Sequence, residues 1–230
     1  SGGISIKPSD PVHAQMKNDM SGAAAVFASM CALRDLGCTT EVTGFLMCTD
    51  NMPSGTATAL GDVITYRDGT TVEMLDTDAE GRVVLADGLI LAREEAHDGV
   101  IDIATLTGSA VRALGKDMSA LFANDRSMAE LVEGAAAASG ELVWELPLHL
   151  AYRREIDSLT ADMMNCAPIG KPDAIIASLF LAHFVGEVPW AHVDMCGPAQ
   201  ADEGRGVDVP GCSGWGARLL AHAALAFRPT

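Results

Sequence analysis

Thr71-Val72-Glu73-Met74-Leu75-Asp76-Thr77-Asp78-Ala79-Glu80-Gly81-Arg82-Val83-Val84-Leu85-Ala86-Asp87-Gly88-Leu89-Ile90-Leu91-Ala92 is the stretch whose reading decides the fold. It opens on a strand-like run, Thr71 to Leu75. It closes on an apolar run, Val83 to Ala92, that reads as a buried helix. Between them, three acids and an arginine stand at every second residue: Asp76, Asp78, Glu80 and Arg82. In an extended segment that spacing turns all four side chains to one wall. Carboxylates stacked on one face need something positive among them, and oxygen donors of this kind suit Mg, Mn, Ca or Zn. The bland alternative is a solvated acidic turn. The position between a strand and a buried helix favours a site, because α/β proteins keep their sites there.

Outward from this stretch, helical and strand patterns alternate. Residues 1–19 read as a loop-rich entry. Met20 to Leu36 has helical character and stops at Gly37. Glu41 to Thr49 (EVTGFLMCT) is apolar enough for a central strand. Val63 to Tyr66 and Thr71 to Leu75 form a hairpin around Asp68-Gly69, and a helix follows over residues 82–96. Val100 to Ala104 is a buried strand that runs through Thr105-Leu106-Thr107-Gly108 into a helix to Leu114. Ala120 to Ala123 and Trp190 to Met195 are further strands. Ser127 to Ala138, Asp173 to Phe184 and Gly216 to Phe227 are helices. Residues 165–172 and 199–209 read as loops. The pattern predicts an α/β fold, a twisted and mostly parallel (mixed) sheet flanked by helices.

Composition excludes several partners. The 230 residues are 49% hydrophobic and 5% aromatic, which suits one domain with a large, tightly packed core. A net charge of −16 argues against nucleic acid and anionic membranes, whose phosphates require clustered Lys and Arg. The six cysteines are scattered without a CxxC pair and read as reduced thiols of a cytoplasmic protein. No signal peptide or membrane-spanning run is visible. The six histidines show no paired ligand spacing, so His183 and His192 read as core or surface residues. Cys196, before Gly197, is the least implausible nucleophile.

Three stretches together resemble the M17 (leucyl) aminopeptidase family of two-metal exopeptidases. They are Ser1-Gly2-Gly3-Ile4-Ser5-Ile6-Lys7, Met16-Lys17-Asn18-Asp19-Met20, and Asp76 to Arg82 with Leu85-Ala86-Asp87. Asp50 to Gly55, Gly61-Asp62-Val63-Ile64 and Ala104-Thr105-Leu106-Thr107-Gly108 support them, and the resemblance runs in order over essentially all of residues 1–230. It implies a metallo-aminopeptidase catalytic domain acting on peptide substrates, with two divalent metal ions (Mn or Zn), a bicarbonate, and assembly as a homo-oligomer, a hexamer. By position, Asp19, Asp78 and Glu80 resemble metal ligands. Lys7 resembles the lysine that steadies the reacting carbonyl, and Arg82 the arginine that holds bicarbonate. Met16, Thr105, Gly108 and Cys212 resemble the wall of the substrate pocket. Asp19 also resembles the partner of the substrate amine, and Leu106 the residue whose carbonyl faces the substrate.

Departures from the family pattern set further expectations. A Lys-Gly-x-Thr-Phe-Asp run belongs upstream of Ser1 in the family and carries a second lysine and a bridging aspartate. The 230 residues therefore read as N-terminally incomplete, with one strand of the sheet missing. The family signature has Asn where Asp76 stands, which adds a negative charge beside the metals. The spacing from Lys7 to Asp19 is one residue longer than the family's, placed at Pro8 to Val12. The glycine-rich stretch around Ala167 to Asp173 is thinner. Asp19 has a bland role open to it as a helix cap. A non-catalytic protein that keeps the fold for assembly or binding is the alternative function.

Overall fold

The computed structural model describes Lys7, residues 10–204 and residues 209–229, with the backbone alone for residues 10–12. The readings placed on Ser1 to Ile6, on Pro8 and Ser9, and on residues 205–208 lie outside the described residues.

Helix α1 (Asp10–Gln15) leads through a 3₁₀ turn (Met16–Asn18) into α2 (Ser21–Leu33). The hairpin β1 (Val63–Thr65) and β2 (Thr71–Glu73) precedes α3 (Glu80–Glu94). Next come β3 (Val100–Ala104), α4 (Gly108–Leu114), β4 (Ser119–Ala123), α5 (Arg126–Ser139) and β5 (Val143–Glu145). After a 3₁₀ run (Leu150–Ile156) the chain forms β6 (Met163–Met164), α6 (Asp173–Val185), β7 (Trp190–Asp194), β8 (Gln200–Ala201), β9 (Gly211–Cys212) and α7 (Ala217–Ala226).

The central sheet has the order β3-β7-β4-β5. β7 runs parallel to β3 and antiparallel to β4, and β4 runs parallel to β5. β7 is buried on both faces, so its side chains alternate between two cores. Ala191 and Val193 join α5 and α7 residues such as Val132 and Leu219. Trp190 joins α3 and α6 residues such as Ile90 and Phe180. The second sheet, β1-β2-β6, closes over that second core through Val72 and Met163. Helix α2 lies directly on β3. A Cβ at Gly22 would stand 2.1 Å from the Ile103 carbonyl oxygen, so only glycine permits the approach.

Three expectations are corrected. Glu41 to Thr49 forms no strand: the run has the right propensity, but no described strand lies beside it to complete a ladder. It bridges helices instead, with Met47 packed over Gly88 of α3 and Gly44 against Met30 of α2. The entry is not simply loop, because residues 10–18 wind into α1 and the 3₁₀ turn. The short strands β5, β6, β8 and β9 are unmarked in the sequence pattern, β8 lying inside a run read as a loop, because each is too brief for periodicity to reveal.

Candidate active site

The acidic stretch is not extended. Asp76 to Ala79 turns, and Glu80 is already the first residue of α3. One consequence is that Glu80 and Arg82 do not share a wall, since two helical residues differ by about 200° around the axis. Lys7 lies among the acids. Its ammonium donates to both Asp78 carboxylate oxygens, at 2.7 and 2.8 Å. Burial acts to lower the Lys7 pKa, but the bond and charge of Asp78, with the charges of Asp19 and Glu80, outweigh it and raise the value. Lys7, Asp19 and the Asp78–Glu80 turn thus come from three places in the sequence to one cluster.

Asp19 reaches the cluster from the turn before α2. Its carboxylate accepts a 2.9 Å bond from the Thr105 hydroxyl. The capping role is not the one observed, because the N-cap position of α2 falls on Met20. Thr105 sits just past β3, and its loop is pinned from β7. Buried Asp194 accepts from the Leu106 and Thr107 amides, the Thr107 hydroxyl and the Cys196 amide. Thr107 in turn caps α4 through the Ala110 amide. Sequence reading passed over Asp194; its signal was a carboxylate inside an apolar strand, which must find partners.

Arg82 turns the other way. Its guanidinium is buried and donates to Asp173 at the start of α6, with bonds of 3.1 to 3.4 Å. Of the residues expected to wall a pocket, Thr105 and Leu106 lie just past the end of β3 and line an adjoining cavity. Met16 is half-buried on the 3₁₀ turn and its carbonyl accepts from the Asp19 amide. Leu106 hangs over Gly81 at the start of α3. Gly108 opens α4 and is exposed. Cys212 on β9 donates weakly to the Lys17 carbonyl, beside Met16. Cys196 is half-buried, and burial with the charges of Asp194 and Asp19 pushes its thiol up to about 12, so it is no ready nucleophile. His192 is a core residue bonded to Asp102, which also accepts from Trp190.

The acidic turn is shaped by two amides that the sequence did not advertise. Asn165, fully buried, accepts from the Leu75 and Asp76 amides and donates to the Asp76 and Ala79 carbonyls. Asn51 donates to the Thr77 carbonyl at 3.0 Å. Asp76 itself is exposed, and its carboxylate accepts from the Asp78 amide within the turn. Its extra charge is therefore spent locally on the turn.

The acids suit a divalent cation by chemistry. All the donors are oxygens, and three carboxylates outnumber one ammonium. Among the described residues, however, no three His, Cys, Asp or Glu side chains stand close enough to hold a metal ion. A cavity of about 1000 Å³ adjoins the cluster. It is lined by Asp19, Glu80, the whole of β3 and most of the unpaired run 39–49. β3 is the edge of the central sheet, so its outer backbone faces this space.

Fold and site define an α/β protein with a carboxylate–lysine cluster at the C-terminal end of its central parallel strands. The sequence profile of the cytosol aminopeptidase family, catalytic domain, matches residues 1–221. A probable cytosol aminopeptidase of Chlorobaculum tepidum is 47% identical over 222 residues, 96% of this chain and 44% of that protein. A probable cytosol aminopeptidase of Synechococcus sp. (strain CC9311) is 43% identical over 96% of this chain and 45% of its own length. Among solved structures, the bottromycin maturation enzyme BotP in complex with Mn superposes with a TM-score of 0.92 at 45% identity, over 98% of this chain and 50% of BotP. A K354E mutant of tomato leucine aminopeptidase gives a TM-score of 0.83 at 38% identity, over 92% and 41%. The chain belongs to the cytosol aminopeptidase family. It spans about half the length of these relatives.

Proposed function

We propose that this chain supplies the catalytic domain of a metal-dependent aminopeptidase that releases N-terminal residues, leucine-like ones preferred, from peptides. The observation that carries the reading is the meeting of Lys7 with Asp19, Asp78 and Glu80 at one end of the sheet. Asp19, Asp78 and Glu80 are the residues that would hold divalent metal ions, Mn or Zn. When bound, such ions supply Lewis-acid polarisation of the amide carbonyl and a water acidic enough to serve as nucleophile at neutral pH.

The chain's own residues do the rest. Lys7 offers a fixed positive charge where a tetrahedral oxyanion develops. Asp19, held by Thr105, receives the free α-amine of the substrate, which confines cleavage to the N-terminus. Met16, Thr105, Leu106 and Gly108 form the surround of the first side chain. Arg82 is the residue that would hold a bicarbonate: its terminal nitrogens bond Asp173, while its buried Nε has no partner among the described residues.

The remaining ligands belong, by the family resemblance, to an upstream strand. The cavity lined by edge strand β3 and the unpaired run 39–49 supports that placement, because no described strand pairs with the outer edge of β3. Trp144 is exposed on edge strand β5 and Leu142 is exposed just before it, which supports a homo-oligomer, a hexamer by resemblance. The relatives' name, cytosol aminopeptidase, supports a cytoplasmic setting; no described helix is long and apolar enough to cross a membrane.

Peptides with free and acetylated N-termini test the reading. The complete polypeptide should release leucine from Leu-Gly-Gly and leave acetyl-Leu-Gly-Gly intact. Equal cleavage of both, or internal cleavage, contradicts it. Absence of any cleavage in the metal-loaded protein favours the alternative, a non-catalytic family member serving assembly or binding.

A further inference from the structure

We infer that Asn165 is a positioning residue for the carboxylates of the acidic turn, an inference that rests on the aminopeptidase reading above. The segment from Leu75 to Ala79 carries Asp78 and delivers Glu80, yet it lies beyond the end of β2 and has left the strand ladder. Asn165 stands just past β6, the parallel neighbour of β2. Its own amide still continues that ladder, donating to the Glu73 carbonyl at 2.9 Å. Its side chain then takes over where the ladder stops.

The carboxamide oxygen accepts from Leu75 (2.8 Å) and Asp76 (3.2 Å). The nitrogen donates to the carbonyls of Asp76 (2.6 Å) and Ala79 (3.3 Å). Two lone pairs and two N–H groups exhaust what a carboxamide can offer, and all four are spent on this one turn. The side chain is fully buried, so water cannot replace it. No other side chain has this shape at this reach: a carboxylate lacks the donors, and glutamine is one methylene too long. Among the described residues Asn165 bonds the backbone of the turn and no side chain of Lys7, Asp78 or Glu80. It acts through the backbone, fixing the direction in which Asp78 and Glu80 leave the chain. Ligand-orienting partners of this kind are integral to how a metal site works.

The test uses Asn165→Asp and Asn165→Ser in the complete polypeptide, with Asn165→Ala as the harsher variant. Mn(II) binding is followed by electron paramagnetic resonance, and backbone opening by hydrogen exchange of the Leu75 and Asp76 amides. The expected result is Mn(II) affinity lower by about 10- to 100-fold, with faster exchange confined to the turn and a cooperative thermal transition retained. Asn165→Asp keeps the acceptor side, so its Leu75 and Asp76 amides should stay more protected than those of Asn165→Ser. A purely structural asparagine would instead lower the melting temperature and leave Mn(II) affinity of the folded protein unchanged, and that result overturns the inference. If the wild type binds no Mn(II), the functional reading falls separately, and unchanged exchange at Leu75 and Asp76 in the variants would still overturn the clamp.

Discussion

Lys7 Nζ bridges both carboxylate oxygens of Asp78, at 2.7 and 2.8 Å, across 71 residues of sequence. It is the one ammonium named among three acids, and its raised pKa keeps it charged throughout the neutral range. Lys7→Met should therefore lower kcat by about 10²- to 10³-fold, the usual cost of removing one oxyanion-stabilising donor. Mn(II) should still bind, because the variant leaves the carboxylates in place. Steady-state kinetics on leucine amide beside a metal titration separates the two effects.

Gly22 is the point where α2 meets β3. Gly22→Ala would drive a methyl to 2.1 Å from the Ile103 carbonyl oxygen, a backbone atom that cannot swing aside. Overpacking of this kind costs about 1–3 kcal/mol. Calorimetry should show a lower Tm. Because β3 leads directly into Thr105, the partner of Asp19, activity should fall as well.

How much of this was legible beforehand follows from range. The buried strands Val100–Ala104 and Trp190–Asp194 and the helices over 80–94 and 173–185 announce themselves by local apolar pattern. Glu41 to Thr49 carries the same local pattern, but a strand is completed by its neighbour, and no described strand takes that place. At the site, Asp19, Asp78 and Glu80 could be named from the sequence only through resemblance. Their convergence on Lys7 depends on contacts across the whole chain. Asn165 was invisible because nothing in MMNC shows that a side chain spends itself on a distant backbone, whereas Asp194 showed only as a carboxylate in an apolar strand, which does not tell where its partners lie. The alternation argument for Asp76 to Arg82 failed because the helix begins at Glu80, two residues before the apolar run suggests.

Cys196 offers a test of what the site does not use. Its thiol is held protonated by burial and by neighbouring acids. Iodoacetamide should label exposed Cys31 and Cys48 well before Cys196 in the native protein, as peptide mapping will show. Cys196→Ala should retain activity within about twofold, since the bond to Asp194 comes from the Cys196 backbone amide. Loss of activity in that variant would restore the nucleophile reading.

His192 predicts a pH dependence of stability. Burial lowers its pKa, but the charge and hydrogen bond of Asp102, with Asp194 nearby, outweigh it and hold the value above its ordinary 6.5. A folded-state pKa above the unfolded one means the contribution is fully present below pH 6.5 and is lost as pH rises through the folded value. The buried Asp194 carboxyl, also raised by burial, acts in the same direction. Urea unfolding between about pH 6 and 9 should show wild-type stability declining, and His192→Gln should decline less steeply.

The central claim is that Asp19, Asp78 and Glu80 serve metal-dependent removal of N-terminal residues. The most direct measurement is hydrolysis of leucine amide by the complete polypeptide, metal-free and then with Mn(II) or Zn(II), beside Glu80→Ala. The account predicts negligible activity without metal, saturable activation on adding it, and loss of that activation by about 10²-fold or more in Glu80→Ala. Metal-independent hydrolysis, or full activation of the Glu80→Ala protein, would contradict it.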